Sequence, residues 1–185
     1  MDNEEYRRAE VIGLKKNFEG RLTICFAGTL TKNKGVGLIL EALTKITSGE
    51  MIEEVIFAGD GAERKKYEDI ASGIKIRITF RGFLDRENIE DVYEKSHIII
   101  LPSESEGFPK VIAEAAAYGC VPIVSDVSSI SSYFNDRNGF LLKKINSDEL
   151  AGKIDLALSD RVSLKEKSLL CIRVAGLFTF EQYIK

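Results

Sequence analysis

Residues 98–119 read IIILPSESEGFPKVIAEAAAYG, and the reading of this stretch decides the fold. Ile98 to Leu101 is a short, uniformly apolar run, the pattern of a strand covered on both faces by helices. Pro102 to Gly107 reads as a turn, and Lys110 to Tyr118 has helical spacing built largely from small residues. Pro109 suits a first helical turn, where its missing N–H costs no intrahelical bond. Glu106 and Gly107 therefore fall in the loop facing the free amides of that helix. A carboxylate there complements the helix dipole, so simple capping is one reading of Glu106. Glu114 sits among Val, Ile and Ala, a setting of tight packing in which a carboxylate needs a partner. It lies roughly 7 to 8 Å along the axis from the first turn, a span that one nucleotide bridges from phosphate at the amides to hydroxyls at Glu114. A helix edge turned to solvent is the other reading of Glu114.

Segments of the same two kinds alternate on either side. Strand-like runs occur at Leu22 to Ala27, Val55 to Ala58, Ile76 to Phe80, Val121 to Val124 and Phe140 to Leu142. Helical stretches occur at Gly35 to Ile46, Ala62 to Ser72, Arg86 to Ser96 and Ser147 to Leu158. In the first of these helices Val36, Ile39, Leu40, Leu43 and Ile46 share one stripe, while Glu41 and Lys45 point elsewhere. The alternation predicts an α/β fold, a Rossmann-like doubly wound parallel sheet with right-handed crossovers. Ligands bind such sheets outside the carboxyl ends of the strands, so the strand-to-helix turns are where chemistry is expected. Residues 1–20 are polar and mixed in charge and read as a lead-in to a domain at 21–175. Val162 to Val174 looks helical, Gly176 interrupts it, and residues 176–185 carry an apolar stretch, LFTFEQYI, that is expected to pack against something.

A chain of 185 residues, 44% apolar and 30% charged, is that of an ordinary globular domain. Its net charge of −3 offers no basic field for nucleic acid, and none is expected as a partner. Cys25, Cys120 and Cys171 are odd in number and far apart, and His97 stands inside an apolar run. Neither a disulfide framework nor a metal site is expected, and a reducing compartment fits best. The cysteines read as small hydrophobes and His97 as a packed residue, not a general base. The opening MDNEEYRRAEVIGLKKNF has no apolar signal core, and the apolar runs fall far short of a membrane span, so a chain neither secreted nor transmembrane is expected.

Two further turns bear on function. Gly28 to Gly35, GTLTKNKG, leads from the first strand into a helix, and amides plus lysines there suit an anion; a solvated loop is the competing reading. Gly59-Asp60-Gly61 opens like a dinucleotide fingerprint, but Arg64 stands where the third glycine belongs, which favours an ordinary tight turn and counts against a dehydrogenase.

Taken together these stretches carry a resemblance. The segment EGFPKVIAE, Glu106 to Glu114, is similar to the E-x7-E signature of retaining glycosyltransferases of the group 1, family four, type. FAGTLTKNKGVGLILEAL (26–43), VIFAGDG (55–61), ITFRGF (78–83) and GCVPIVSD (119–126) resemble that family's other motifs in the same order. Residues 21–185 thus look like the C-terminal, donor-binding domain of a GT-B enzyme. The resemblance implies that Glu106 is catalytic beside the donor sugar. It places Gly107 and the backbone of Phe108, Pro109 and Lys110 near sugar and diphosphate, with Gly28, Thr29 and Lys34 in the diphosphate loop. Glu114 would bind the ribose, and Gly82, Phe83 and Leu84 would border the base. The donor implied is a UDP-, GDP- or ADP-sugar, with no cofactor or metal. Transfer of a hexosyl group to a glycan or lipid-linked acceptor is implied, as in surface polysaccharide synthesis. An N-terminal acceptor domain, in the same chain or as a separate subunit, would complete the enzyme, so this domain alone is expected to be inactive. Residues 1–20 would end an interdomain connection, and 176–185 would begin the helix crossing to the other domain. A cytoplasmic location, peripheral at the inner face of the plasma membrane, is expected.

Two departures stand out. Thr29 occupies the position, five before Lys34, where the family usually has Arg, leaving a diphosphate cation to be supplied by Lys32 or Lys110. Ser131 and Ser132 stand where many relatives carry Glu. These keep a second expectation in view, a degenerate module that binds a nucleotide or a partner without catalysis.

Overall fold

The computed structural model describes residues 1–105, 107, 110–127 and 130–179. Among them, β1 (Leu22–Ala27), β2 (Ile52–Ala58), β3 (Ile78–Gly82), β4 (Ile98–Leu101), β5 (Val121–Ser125) and β6 (Phe140–Leu142) form one parallel sheet in the order β3-β2-β1-β4-β5-β6. The expected doubly wound architecture is what the chain adopts. Every residue of β1, β4 and β5 is buried, which is why these strands read as unbroken apolar runs. β2 begins three residues before its expected start because Glu53 and Glu54 break the apolar pattern; Glu53 is exposed and Glu54 accepts from the Thr79 hydroxyl of β3. Ile24 of β1 faces Val55 of β2 on one side and Ile98 of β4 on the other, so the winding reverses between β1 and β4. That reversal opens a crevice at the carboxyl ends of these two strands.

The helices are α1 (Asn3–Leu14), α2 (Val36–Leu43), α3 (Arg64–Ala71), α4 (Arg86–Lys95), α5 (Lys110–Ala117), α6 (Ile130–Tyr133), α7 (Ser147–Ser159) and α8 (Arg161–Ala175). Of the stripe expected on α2, Val36, Ile39, Leu40 and Leu43 are buried, and Ile46 packs beside them just past the helix. Asp85, Asn146 and Asp160 cap α4, α7 and α8 by accepting from a backbone N–H three residues on.

At both ends of the chain the structure adds to the sequence reading. Residues 3–14, within the expected lead-in, form α1, opened by a capping box in which Asp2 and Glu5 serve each other's backbone. Its polar composition hides it because its fully buried contacts are the smallest possible. Ala9 is buried, and Gly13 lies so close to the end of α5 that a Cβ would come within 2.8 Å of the Tyr118 carbonyl carbon. The Tyr6 hydroxyl donates to the Ile172 carbonyl of α8 at 3.1 Å, so α1 belongs to the body of the domain. At the other end, Gly176–Phe178 is a short 3-10 turn. The Phe178 ring meets the rings of Tyr133 and Phe134 at 4.7 and 6.4 Å, so the start of the apolar tail packs on this domain. Residues 180–185 of the expected crossing helix lie outside the described residues.

Candidate functional site

The loop after β1 is held by its neighbours on both sides. Gly28 donates its N–H to the Ala58 carbonyl, and Leu30 donates to that of Asp60, at 3.0 and 2.9 Å. A Cβ on Gly59 would fall 1.8 Å from the Gly28 oxygen, and Gly59 sits at φ +148°, so only glycine fits where these two loops meet. The Gly59-Asp60-Gly61 turn is therefore a packing device, as the missing third glycine suggests.

Further along, Lys32–Lys34 form a 3-10 turn, and Gly35 in the left-handed region begins α2 with no side chain capping its amides. Lys32 donates its backbone N–H to Glu63 at 3.0 Å, and Glu63 also accepts from the Tyr67 hydroxyl at 2.9 Å. The same turn touches the loop after β4. A Cβ on Gly35 would lie 2.7 Å from the Pro102 oxygen, and Glu104 donates its N–H to the Asn33 carbonyl at 3.0 Å. The two loops that sequence reading singled out are thus joined across the β1/β4 reversal. This brings the uncapped start of α2 and the Lys32–Lys34 turn beside the approach to α5.

Of the expected site residues, Thr29 is exposed, Lys34 is half-buried in this turn, and Gly107 and Lys110 are exposed at the start of α5. Glu106, Phe108 and Pro109 lie outside the described residues, as do Ser128 and Ser129. Ser131 and Ser132 lie on α6.

Glu114 is half-buried and lines a groove of about 360 Å³ between α4 and α5, together with Lys110 one turn before it and Leu84 from the loop after β3. Phe83 stands 86% exposed beside Leu84, while Gly82 is buried and accepts from the Gly59 N–H at 2.8 Å.

Several residues of this groove carry no signal in the sequence. Met1 precedes α1 and Glu5 lies on it, and a charged chain runs along the groove in which Arg86 pairs with Glu5 and Glu90, and Glu90 with Arg8. Tyr118 lies against this chain, and burial with the Glu90 charge pushes its phenol up to about 12. Tyr93 also lines the groove, and its hydroxyl is buried with no hydrogen-bond partner among the described residues. Such a group shows itself only when the packing is known.

His97 is packed as expected. Its Nδ1 accepts from the Thr23 N–H at 3.1 Å, Nε2 lies 2.9 Å from the Asn17 carbonyl, and Phe18 meets the ring edge-on. Burial and the nearby Lys16 ammonium lower its pKa to about 4. The three cysteines are buried and free, and burial pushes the Cys25 and Cys171 thiols up. Among the described residues no cluster of three or more His, Cys, Asp or Glu is placed to hold a metal ion, and no helix is long and apolar enough to cross a membrane.

The profile of glycosyl transferases group 1 matches residues 8–169. The chain belongs to that family. An uncharacterized glycosyltransferase of Methanocaldococcus jannaschii is 31% identical over 140 residues, covering 74% of this chain and 36% of that protein. The alpha-D-kanosaminyltransferase of Streptomyces kanamyceticus is 26% identical over 159 residues, covering 84% of this chain and 41% of that one. The chain thus spans roughly two fifths of the curated relatives it matches. In fold it is similar to the C-terminal domain of the group 1 glycosyl transferase LpcC from Francisella tularensis, with a TM-score of 0.78 at 22% identity, covering 96% of this chain and 97% of that one. Anabaena HepE, solved with UDP, is similar over 95% of this chain and 49% of its own, with a TM-score of 0.74 at 21% identity. The group 1 assignment and the six-stranded GT-B half agree, as expected from the order of the motifs.

Proposed function

We propose that this group 1 chain is the donor half of a retaining glycosyltransferase, holding a nucleoside diphosphate sugar along the carboxyl edge of the sheet. The observation that carries the reading is the joining of the Lys32–Lys34 turn to the loop after β4, with Glu114 in the groove alongside. Phosphates take the uncapped amides of α2 and the Lys34 ammonium, the ribose diol takes the Glu114 carboxylate, and the base lies toward Leu84 and Phe83. Transfer breaks the bond between the sugar's anomeric carbon and the diphosphate oxygen, leaving positive charge on the sugar and negative charge on the departing diphosphate. Fixed amides and ammonium groups stabilise that separating charge without a metal ion. Glu106 lies beside the anomeric centre in this reading, and an N-terminal domain supplies the glycan or lipid-linked acceptor. The enzyme acts in the cytoplasm at the membrane face where a lipid-linked acceptor is presented.

Calorimetric titration of the chain with UDP, GDP and ADP tests the pocket. One diphosphate is expected to bind selectively, and Glu114→Ala to weaken it about tenfold or more, the worth of a charge-assisted hydrogen bond. Binding of none of the three defeats the proposal. Thr29, in the place of a family Arg, favours a second reading, a module that binds the nucleotide but does not catalyse. Reconstitution with a cognate N-terminal domain separates the two, since only the enzyme transfers sugar.

A further inference from the structure

Tyr93 lies on the third turn of α4, and its backbone and side chain face different surroundings. Its backbone carbonyl accepts from Lys16 Nζ at 2.8 Å, with the Cys120 thiol 3.1 Å away, on the side of the domain where β4 and β5 begin. Side chains of a helix lean toward its N-terminus, and the start of α4 is at the carboxyl edge. The phenol is therefore carried back toward the groove, where its ring packs against Tyr118 at 6.1 Å between centroids. Its hydroxyl ends there fully buried and unpartnered among the described residues. A buried hydroxyl with no partner costs free energy, and the free protein keeps this one.

Glu114 lines the same groove from α5, and its carboxylate is the foremost charge acting on the phenol, close enough for a weak pull on the hydroxyl but outside good hydrogen-bond geometry. Burial and that carboxylate hold the phenol well above its ordinary value, so it remains a donor at any working pH. A ligand that seats against the carboxylate shuts it off from solvent, and the carboxylate lone pairs the ligand does not take then need a donor.

Resting on the donor-pocket reading above, we infer that Tyr93 is a positioning residue, its hydroxyl donating to the Glu114 carboxylate when a ribose diol engages that carboxylate. The bond fixes which way the carboxylate faces, so both its oxygens meet the 2′- and 3′-hydroxyls. The device favours ribose, because a sugar lacking the diol offers nothing to the carboxylate that Tyr93 orients.

The test uses the whole chain, whichever of UDP, GDP and ADP binds it, and the 2′,3′-dideoxy form of that diphosphate. Tyr93→Phe is expected to weaken the ribose diphosphate about tenfold and leave the dideoxy form within about twofold. In the Glu114→Ala background the same substitution is expected to change nothing further. The thermal midpoint of unliganded Tyr93→Phe is expected to match or exceed that of the parent, since the lost hydroxyl is buried without a well-formed bond. Equal weakening of both ligands, an additive loss with Glu114→Ala, unchanged affinity for the ribose form, or a lowered midpoint overturns the inference while leaving the pocket standing. Failure of the parent chain to bind any of the three diphosphates overturns the pocket and this inference with it.

Discussion

At the edge of the sheet where the strands begin, Ser96 is fully buried and donates its hydroxyl to the Val92 carbonyl at 2.7 Å. At the opposite edge the hydroxyl of Ser125, buried to the same degree at the end of β5, has no partner among the described residues, and neither has that of Ser103 just beyond β4. The contrast extends to charged groups. At the beginning edge Lys16 is held by the carbonyls of Tyr93 and Ser96, and Asp155 accepts from the backbone and hydroxyls of Thr47 and Ser48. Arg161 is the exception there, with one terminal nitrogen unpartnered and the other donating to Gly20 at 3.2 Å. Among the described residues, the buried polar groups of the beginning edge are mostly satisfied within the fold, whereas three hydroxyls toward the carboxyl edge, those of Tyr93, Ser103 and Ser125, are not.

The most severe way to break this contrast is to disturb the loops that hold the open edge. Gly59→Ala forces a Cβ against the Gly28 oxygen at φ +148° and is expected to cost about 3 kcal/mol or more, together with diphosphate binding. Denaturant melts and titration of the same sample check both. A change of similar size is expected at the sealed edge from acid alone. Because the pKa of His97 falls to about 4 in the folded chain, its neutral form is favoured there, while the unfolded chain takes up a proton near pH 6.5. Stability contributed by His97 is thus complete above about pH 6.5 and is lost as pH falls toward 4, by about 3 kcal/mol at most. Urea melts of the parent and of His97→Gln across that window should show the loss in the parent and a smaller one in the variant. The finest comparison sets the two serines side by side. Ser96→Ala is expected to cost about 1 kcal/mol, and Ser125→Ala to stay within about 0.5 kcal/mol of the parent. Equal costs would show that the two edges do not differ.

Sequence reading reached different depths in different places. β1, β4 and β6 were legible to the residue, because an apolar run between turn residues has one simple explanation. The opening of β2 was not, since Glu53 and Glu54 interrupt the apolar signal, and α1 was not, since its fully buried residues, Ala9 and Gly13, carry no hydropathic weight. For the site, the two loops and Glu114 stood out because a carboxylate in a small-residue helix and lysines ahead of a helix are unusual in composition. Tyr93, Arg86 and Glu5 did not, because what distinguishes them is their position relative to residues far away in the chain. Gly59 and Gly61 showed the converse: a pattern that looks like ligand chemistry is spent on loop packing.

The helix at the start of the chain has a practical side. With Met1 and Glu5 lining the groove and Gly13 wedged against the end of α5, a module cut at the first strand would lose one wall of its pocket along with a seal on its core. Exchange of this domain between relatives is therefore expected to need residues 1–20 with it, since recombination at residue 21 would pair a foreign wall with a native floor.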